Sequence, residues 1–169
     1  MNISNKQIRK AYSYAESVAT SKEILDMLFK RDDYKKIKSY EDACAVLKEC
    51  PIVNDLKEPK HIIALMKLET ISRALWGNNF EPDFKDEDAN IEYYKPFFEK
   101  LDVEDTFRAI DNSVNVVTTE DGTGFSCAGS ISTNCMSTNK LLVQQSEEKS
   151  DYLGKQFIDL WYEYLKNPE

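Results

Sequence analysis

Histidine occurs once in the chain, at His61, and that scarcity removes many ordinary catalytic arrangements. A Ser/His or Cys/His mechanism, or a mixed Cys/His metal site, would have to be built on this one imidazole. It sits at the start of an apolar helical stretch, where packing or capping is its expected role. Neither common glycine-rich phosphate cradle is present. Cys44 and Cys50 are separated by five residues, and Cys127 and Cys135 by seven, which matches neither zinc-site nor CxxC spacing. They are read as reduced, mostly buried thiols. No apolar run approaches the ~20 residues of a membrane span. The opening MNISNKQIRK lacks the apolar core of a secretory signal, so a cytoplasmic address and no membrane partner are expected.

Basic residues are also short, 22 Lys and Arg against 30 Asp and Glu, for a net charge of −8. That balance opposes general nucleic-acid binding, which needs a basic surface. One local basic cluster exists, Lys30, Arg31, Lys35, Lys36 and Lys38, but Asp32 and Asp33 dilute it. The acidic charge is more concentrated: ten acidic residues and three lysines lie between Glu81 and Asp105, a net −7 in 25 residues.

Two motifs fail on inspection. An EF-hand register starting at Asp86 puts Ile91 where the loop needs glycine and Phe97 where it needs a bidentate glutamate. The stretch Gly124-Phe125-Ser126-Cys127-Ala128-Gly129 spaces its residues as GxSxxG instead of the nucleophile elbow's GxSxG. Nothing basic is placed to activate Cys127 or Cys135. No catalytic set, metal site or cofactor is therefore expected.

A length of 169 residues suits one domain with a real core. Its centre is Pro59–Trp76, a helix with proline at its start and Ile63, Ala64, Leu68, Ile71, Ala74 and Leu75 on one broad apolar face. Residues 1–36 read as helical: Ile8, Ala11, Tyr12, Ala15 and Val18 recur at helical spacing, and Thr20 with Glu23 forms a capping box. Residues 37–76 continue with a short helix opened by Ser39 and Asp42, stopped by Pro51, then the central helix. An acidic loop is expected over 77–90 and a β-rich part over 91–145. Its strands are IEYYKPFF, TFRAI, SVNVVTT and LLVQQ, with a hairpin at Asp121-Gly122 and a Ser/Thr/Asn-rich patch over 126–139. The C-terminal helix, 146–166, starts at Ser146 and buries Leu153, Phe157, Leu160, Trp161 and Tyr164, with Gly154 marking a close approach. The expected fold is α+β: N-terminal helices and a central buried helix on a small antiparallel sheet, closed by a C-terminal helix.

Phe80, Phe84, Tyr93, Tyr94, Phe97 and Phe98 crowd into the acidic segment. Such a segment is either a solvated loop over an aromatic core or a surface that enters the basic groove of another protein, its charge lying where phosphates would. On the second reading the partner-binding residues are Asp83, Phe84, Asp86, Glu87 and Asp88.

The stretches IKSYEDACAVL, KLETISRALW, FEPDF, YYKPFF and YLGKQFIDLWYEYL occur in an order that resembles a family of small uncharacterised proteins of bacteriophages and mobile elements in Bacteroidetes-type bacteria. The resemblance covers about residues 37–165. The family has tryptophan where Phe80 and Phe84 stand, and an aromatic-rich segment where this chain has SCAGSISTNCMSTN. The family's basic residue and glycine before the last strand become Thr138-Asn139-Lys140. The resemblance implies a phage or mobile-element origin and a bacterial host cytoplasm; it carries no activity and no catalytic residue. The expected function is non-enzymatic: an accessory protein that binds a host or phage protein, in its sharpest form an anti-CRISPR-like inhibitor docking on a defence nuclease or another nucleic-acid-processing complex. The alternatives are a virion structural or assembly protein and a small RNA- or DNA-binding protein using Lys30–Lys38.

Overall fold

The computed structural model describes residues 33–52, 57–77, 82, 92–133 and 140–166. The expected N-terminal helices up to Asp32, the Thr20–Glu23 capping box and Cys135 lie outside the described residues, as does most of the acidic loop.

After a 3-10 turn at Tyr34–Lys36, helix α1 spans Tyr40–Leu47. Its start is the anticipated capping box: Ser39 Oγ accepts from Asp42 N, and the Asp42 carboxylate accepts from Ser39 N. Helix α2, Lys60–Trp76, follows Pro59 and ends at Gly77, whose φ of 76° suits glycine at a helix end. The apolar face read from the sequence is the buried one: Ala64, Leu68, Ile71, Ala74 and Leu75 lie in the core, with Ile63 at its margin. Thr70, which is not among the apolar positions of that face, is also buried, and its hydroxyl donates to Met66 O at 3.1 Å. This back-bond is how a mid-helix threonine satisfies itself when packed.

The sheet has three strands: β1 (Tyr93–Leu101), β2 (Val116–Thr118) and β3 (Gly124–Thr133), in the order β1-β3-β2. Both neighbours run antiparallel to β3. Pro96 is tolerated because β1 is an edge strand. The turn between β2 and β3 falls at Asp121-Gly122 as anticipated, Gly122 taking φ 82°. The first half of the Ser/Thr/Asn-rich patch is strand: β3 runs through Thr133.

Three local expectations are corrected. TFRAI is not a strand; it lies in helix α3, Val103–Asp111, which connects β1 to β2. The part 91–145 is thus a β-α-β-β arrangement, not purely strands. LLVQQ forms a 3-10 turn at Lys140–Leu142 and a single bridge from Gln144 to Tyr94, with N···O distances of 2.9 and 2.7 Å, covering part of the β1 edge. The C-terminal helix is broken into α4 (Glu147–Gln156) and α5 (Ile158–Leu165). At the break, Trp161 Nε1 donates to Leu153 O at 3.2 Å, taking the carbonyl that the Phe157 N–H would meet in a continuous helix.

The layers follow from side-chain alternation along the strands. One face of the sheet meets α4 and α5: Phe98 packs on Trp161 and Phe125 on Tyr162, with ring centroids 4.9 and 5.6 Å apart. Gly154 is the close approach the sequence suggested, since a Cβ there would run into Cys127 Sγ and stand 2.8 Å from Pro96 Cβ. Behind these helices lies α2, against α1 and α5, with Leu68, Ile71, Leu75 and Leu153 fully buried between them. Two longer ties close the core. Trp76 Nε1 donates to Val143 O at 2.7 Å, and buried Lys149 donates from Nζ to Leu75 O at 2.5 Å, at the C-terminal end of α2. A cation at that end also suits the helix dipole. The opposite face of the sheet receives α3, whose Thr106 sits against Gly124.

Candidate protein-binding surface

The residues singled out from the sequence, Asp83, Phe84, Asp86, Glu87 and Asp88, lie outside the described residues. What the structure shows of the acidic segment is its second half. There Glu92, Glu99, Asp102, Glu104 and Asp105 are exposed. Its aromatics divide: Tyr93 is buried, Phe98 stacks on Phe125 at 5.0 Å between ring centroids, and Phe97 turns outward, half exposed. A register shift in the β1–β3 pairing places Phe97 opposite Gly129, which has no side chain to cover it.

The other candidates fall into structural roles. Lys35, Lys36 and Lys38 of the basic cluster are exposed, and Lys36 pairs with Asp33 at 3.2 Å; Lys30 and Arg31 lie outside the described residues. His61 is half-buried in the first turn of α2. Cys44 is in the core, Cys50 is exposed, and Cys127 is buried between sheet and α4. Burial pushes the Cys127 thiol up, which works against thiolate chemistry. Ser126 Oγ meets Glu99 Oε1 at 3.4 Å on the sheet. Among the described residues no three His, Cys, Asp or Glu side chains are placed to hold a metal ion, and no helix is long and apolar enough to cross a membrane.

The feature that stands out is α3. Its N-terminus is built with care: Asp102 accepts from Asp105 N at 2.8 Å, and the Thr106 hydroxyl donates to Asp102 O at 2.6 Å. Its surface carries Arg108 paired with Glu104 at 2.5 Å and Asp105 at 3.2 Å. Its C-terminus closes in a Schellman motif, with Val114 N donating to Ala109 O and Ser113 N to Ile110 O, both at 2.9 Å. A helix so finished packs on the sheet through Thr106, the one residue of α3 that is buried. Its hydrophobic residues do the opposite. Val103, Phe107 and Ile110 recur at helical spacing along one stripe and are 43, 64 and 49% exposed; Val114, just past the left-handed Ser113 that ends the helix, is 47% exposed.

The stripe has acidic borders. Glu104 and Asp111, both exposed, lie beside Phe107 on the one edge of the stripe that faces away from the packed side. At the N-terminal end, Val103 lies 3.6 Å from where a Cβ of Gly122 would stand, so the turn carrying Glu120 and Asp121 is its neighbour. Hydrogen bonds first from the Thr119 hydroxyl, then from the Thr123 hydroxyl and N–H, hold the Asp121 carboxyl down at about 2. From Glu99 to Asp121 there are seven acidic residues and two basic ones, a net −5.

The sequence did carry the signal for this surface. Read over Val103–Asp111 instead of the five residues TFRAI, the apolar positions Val103, Phe107 and Ile110 fall at intervals of four and three, and Asp102 is a ready N-cap. No family model, no curated protein and no solved structure matches the chain.

Proposed function

We propose that the protein acts by binding another protein through the exposed apolar stripe of α3, as a non-catalytic accessory protein of a phage or mobile element. The observation that carries the reading is the exposed stripe Val103–Phe107–Ile110 on a helix capped and closed at both ends, with exposed Val114 just beyond it. Aligned apolar side chains left in water cost solubility and mark interaction sites when polar residues border them. A phenylalanine 64% exposed at the centre of such a stripe is the kind of anchor that dominates protein interfaces.

The sharper form is inhibition of a host defence system, such as a CRISPR nuclease. It is supported by the net charge of −8 and by the resemblance over residues 37–165. An acidic protein can occupy a groove built for phosphates.

Affinity capture from a nuclease-treated bacterial lysate, with the wild type and Phe107→Ser compared by quantitative mass spectrometry, tests the reading. A protein held by the wild type and Phe107→Leu, and reduced about tenfold or more by Phe107→Ser, is the expected result. Identical proteins on all three baits would overturn it. Capsid or tail proteins lost with Phe107→Ser would assign the surface to virion assembly.

A further inference from the structure

The binding reading leaves the partner's chemistry open, and the borders of the stripe restrict it. We infer that the segment received by α3 is a cationic amphipathic helix of the partner protein, an inference that rests on the binding role proposed above.

The apolar stripe demands a matching apolar stripe. The backbone of α3 is committed to its own helix and caps, so this face offers an incoming chain side chains only. An extended segment would bring its own unpaired N–H and C=O groups against those side chains, at a cost for each one buried. A helix arrives with these groups already satisfied, and residues at intervals of three and four meet Val103, Phe107 and Ile110 ridge into groove.

The charge decides the rest. Glu104 and Asp111 run beside the stripe, Asp121 stands at its N-terminal end, and Arg108 is already held by Glu104 and Asp105. A second copy of this chain would set two net −5 surfaces together, and an anionic lipid surface or nucleic acid would be repelled in the same way. Lysine or arginine beside the partner's apolar stripe turns that repulsion into attraction.

The test uses the full chain and two synthetic peptides of about 18 residues with leucines at the same intervals of three and four, one carrying lysine and the other glutamate at all remaining positions. Fluorescence anisotropy should show the Leu/Lys peptide binding at least about tenfold tighter than the Leu/Glu peptide, weakening as salt rises. Glu104→Lys/Asp111→Lys should weaken it about tenfold, while the same charge change at exposed Glu58 and half-buried Glu163 (Glu58→Lys/Glu163→Lys) should stay within about twofold. Phe107→Ser should also weaken it about tenfold and Phe107→Leu restore it. Equal binding of the two peptides, equal effects of the two double reversals, or self-association of the full chain that Phe107→Ser abolishes would each overturn the inference. If lysate capture still depends on Phe107 while the peptides bind alike, the partner's chemistry is wrong and the binding role stands. If capture is indifferent to Phe107, the role itself falls.

Discussion

Ser113 holds a left-handed φ of 58° to close α3, a conformation that costs a side-chain-bearing residue about 1–2 kcal/mol. Glycine removes that cost and gives back part of it as chain entropy. Ser113→Gly should therefore stabilise the protein by about 0.5–1 kcal/mol in urea unfolding, and a loss of stability would contradict the Schellman geometry. At Gly154 the argument runs the other way. Alanine favours a helix by up to ~1 kcal/mol, but its methyl would meet Cys127 Sγ and Pro96 Cβ, and overpacking of that kind costs about 1–3 kcal/mol. Gly154→Ala should be destabilising and Gly154→Ala/Cys127→Ala less so; additive losses would remove the contact as the cause. Asp121 supplies the pH test. Its carboxyl is lowered from the ordinary 3.8 to about 2 in the folded protein, so its contribution is complete above about pH 4 and disappears as pH falls through 2. A carboxyl NMR titration should place its midpoint near 2, and Asp121→Asn should remove that part of the acid dependence. These local devices differ in how readily the sequence betrays them. Ser39, Ser146 and Asp121-Gly122 act on neighbours in the chain and could be read directly. Ser113 runs against its own preference, and the outward turn of Phe97 depends on a register shift against β3, so neither has a local signal.

Among the elements, α2 was legible because 17 residues of helical periodicity outweigh any local ambiguity. Helix α3 was missed because TFRAI, taken alone, is rich in strand-favouring residues, and short apolar runs do not separate helix from strand. The break between α4 and α5 carries no proline and no glycine at Phe157; it depends on the Trp161 indole reaching the Leu153 carbonyl. The tie between α2 and α4 was equally hidden, since lysine is rarely buried. Lys149 is 7% exposed, donates to Leu75 O and lies 5.7 Å from the centre of the Tyr34 ring. Replacing it by methionine keeps the stem and deletes the charged donor. Lys149→Met should cost about 1.5–3 kcal/mol, the range for a hydrogen bond from a charged group, measured by thermal or urea unfolding. An unchanged midpoint would mean that the ammonium contributes nothing net to holding the helices together.

For the whole molecule, the architecture separates a stabilising side from a presenting side. The core lies between α2, α1 and the α4–α5 pair, with the sheet closing it. On the far side of the sheet α3 contributes one buried residue, Thr106, and exposes its hydrophobic ones. The α+β layout could be read from the chain because the core helix, the hairpin and the C-terminal stripe are periodic over long windows. The presenting side could not, because the densest acidic run is at 83–88, while the apolar stripe lies 15 residues further on, beyond β1. This separation predicts that Phe107→Ser leaves stability within about 0.5 kcal/mol of the wild type, as for an exposed position. It also defines the most direct test of the binding role. A photo-crosslinking phenylalanine analogue at position 107, with the same analogue at Val46 (52% exposed) as control, can be activated in the full chain inside bacterial cells. The account predicts a discrete, nuclease-resistant protein adduct at position 107 and none at 46. No adduct at 107, or the same adducts at both positions, would contradict it.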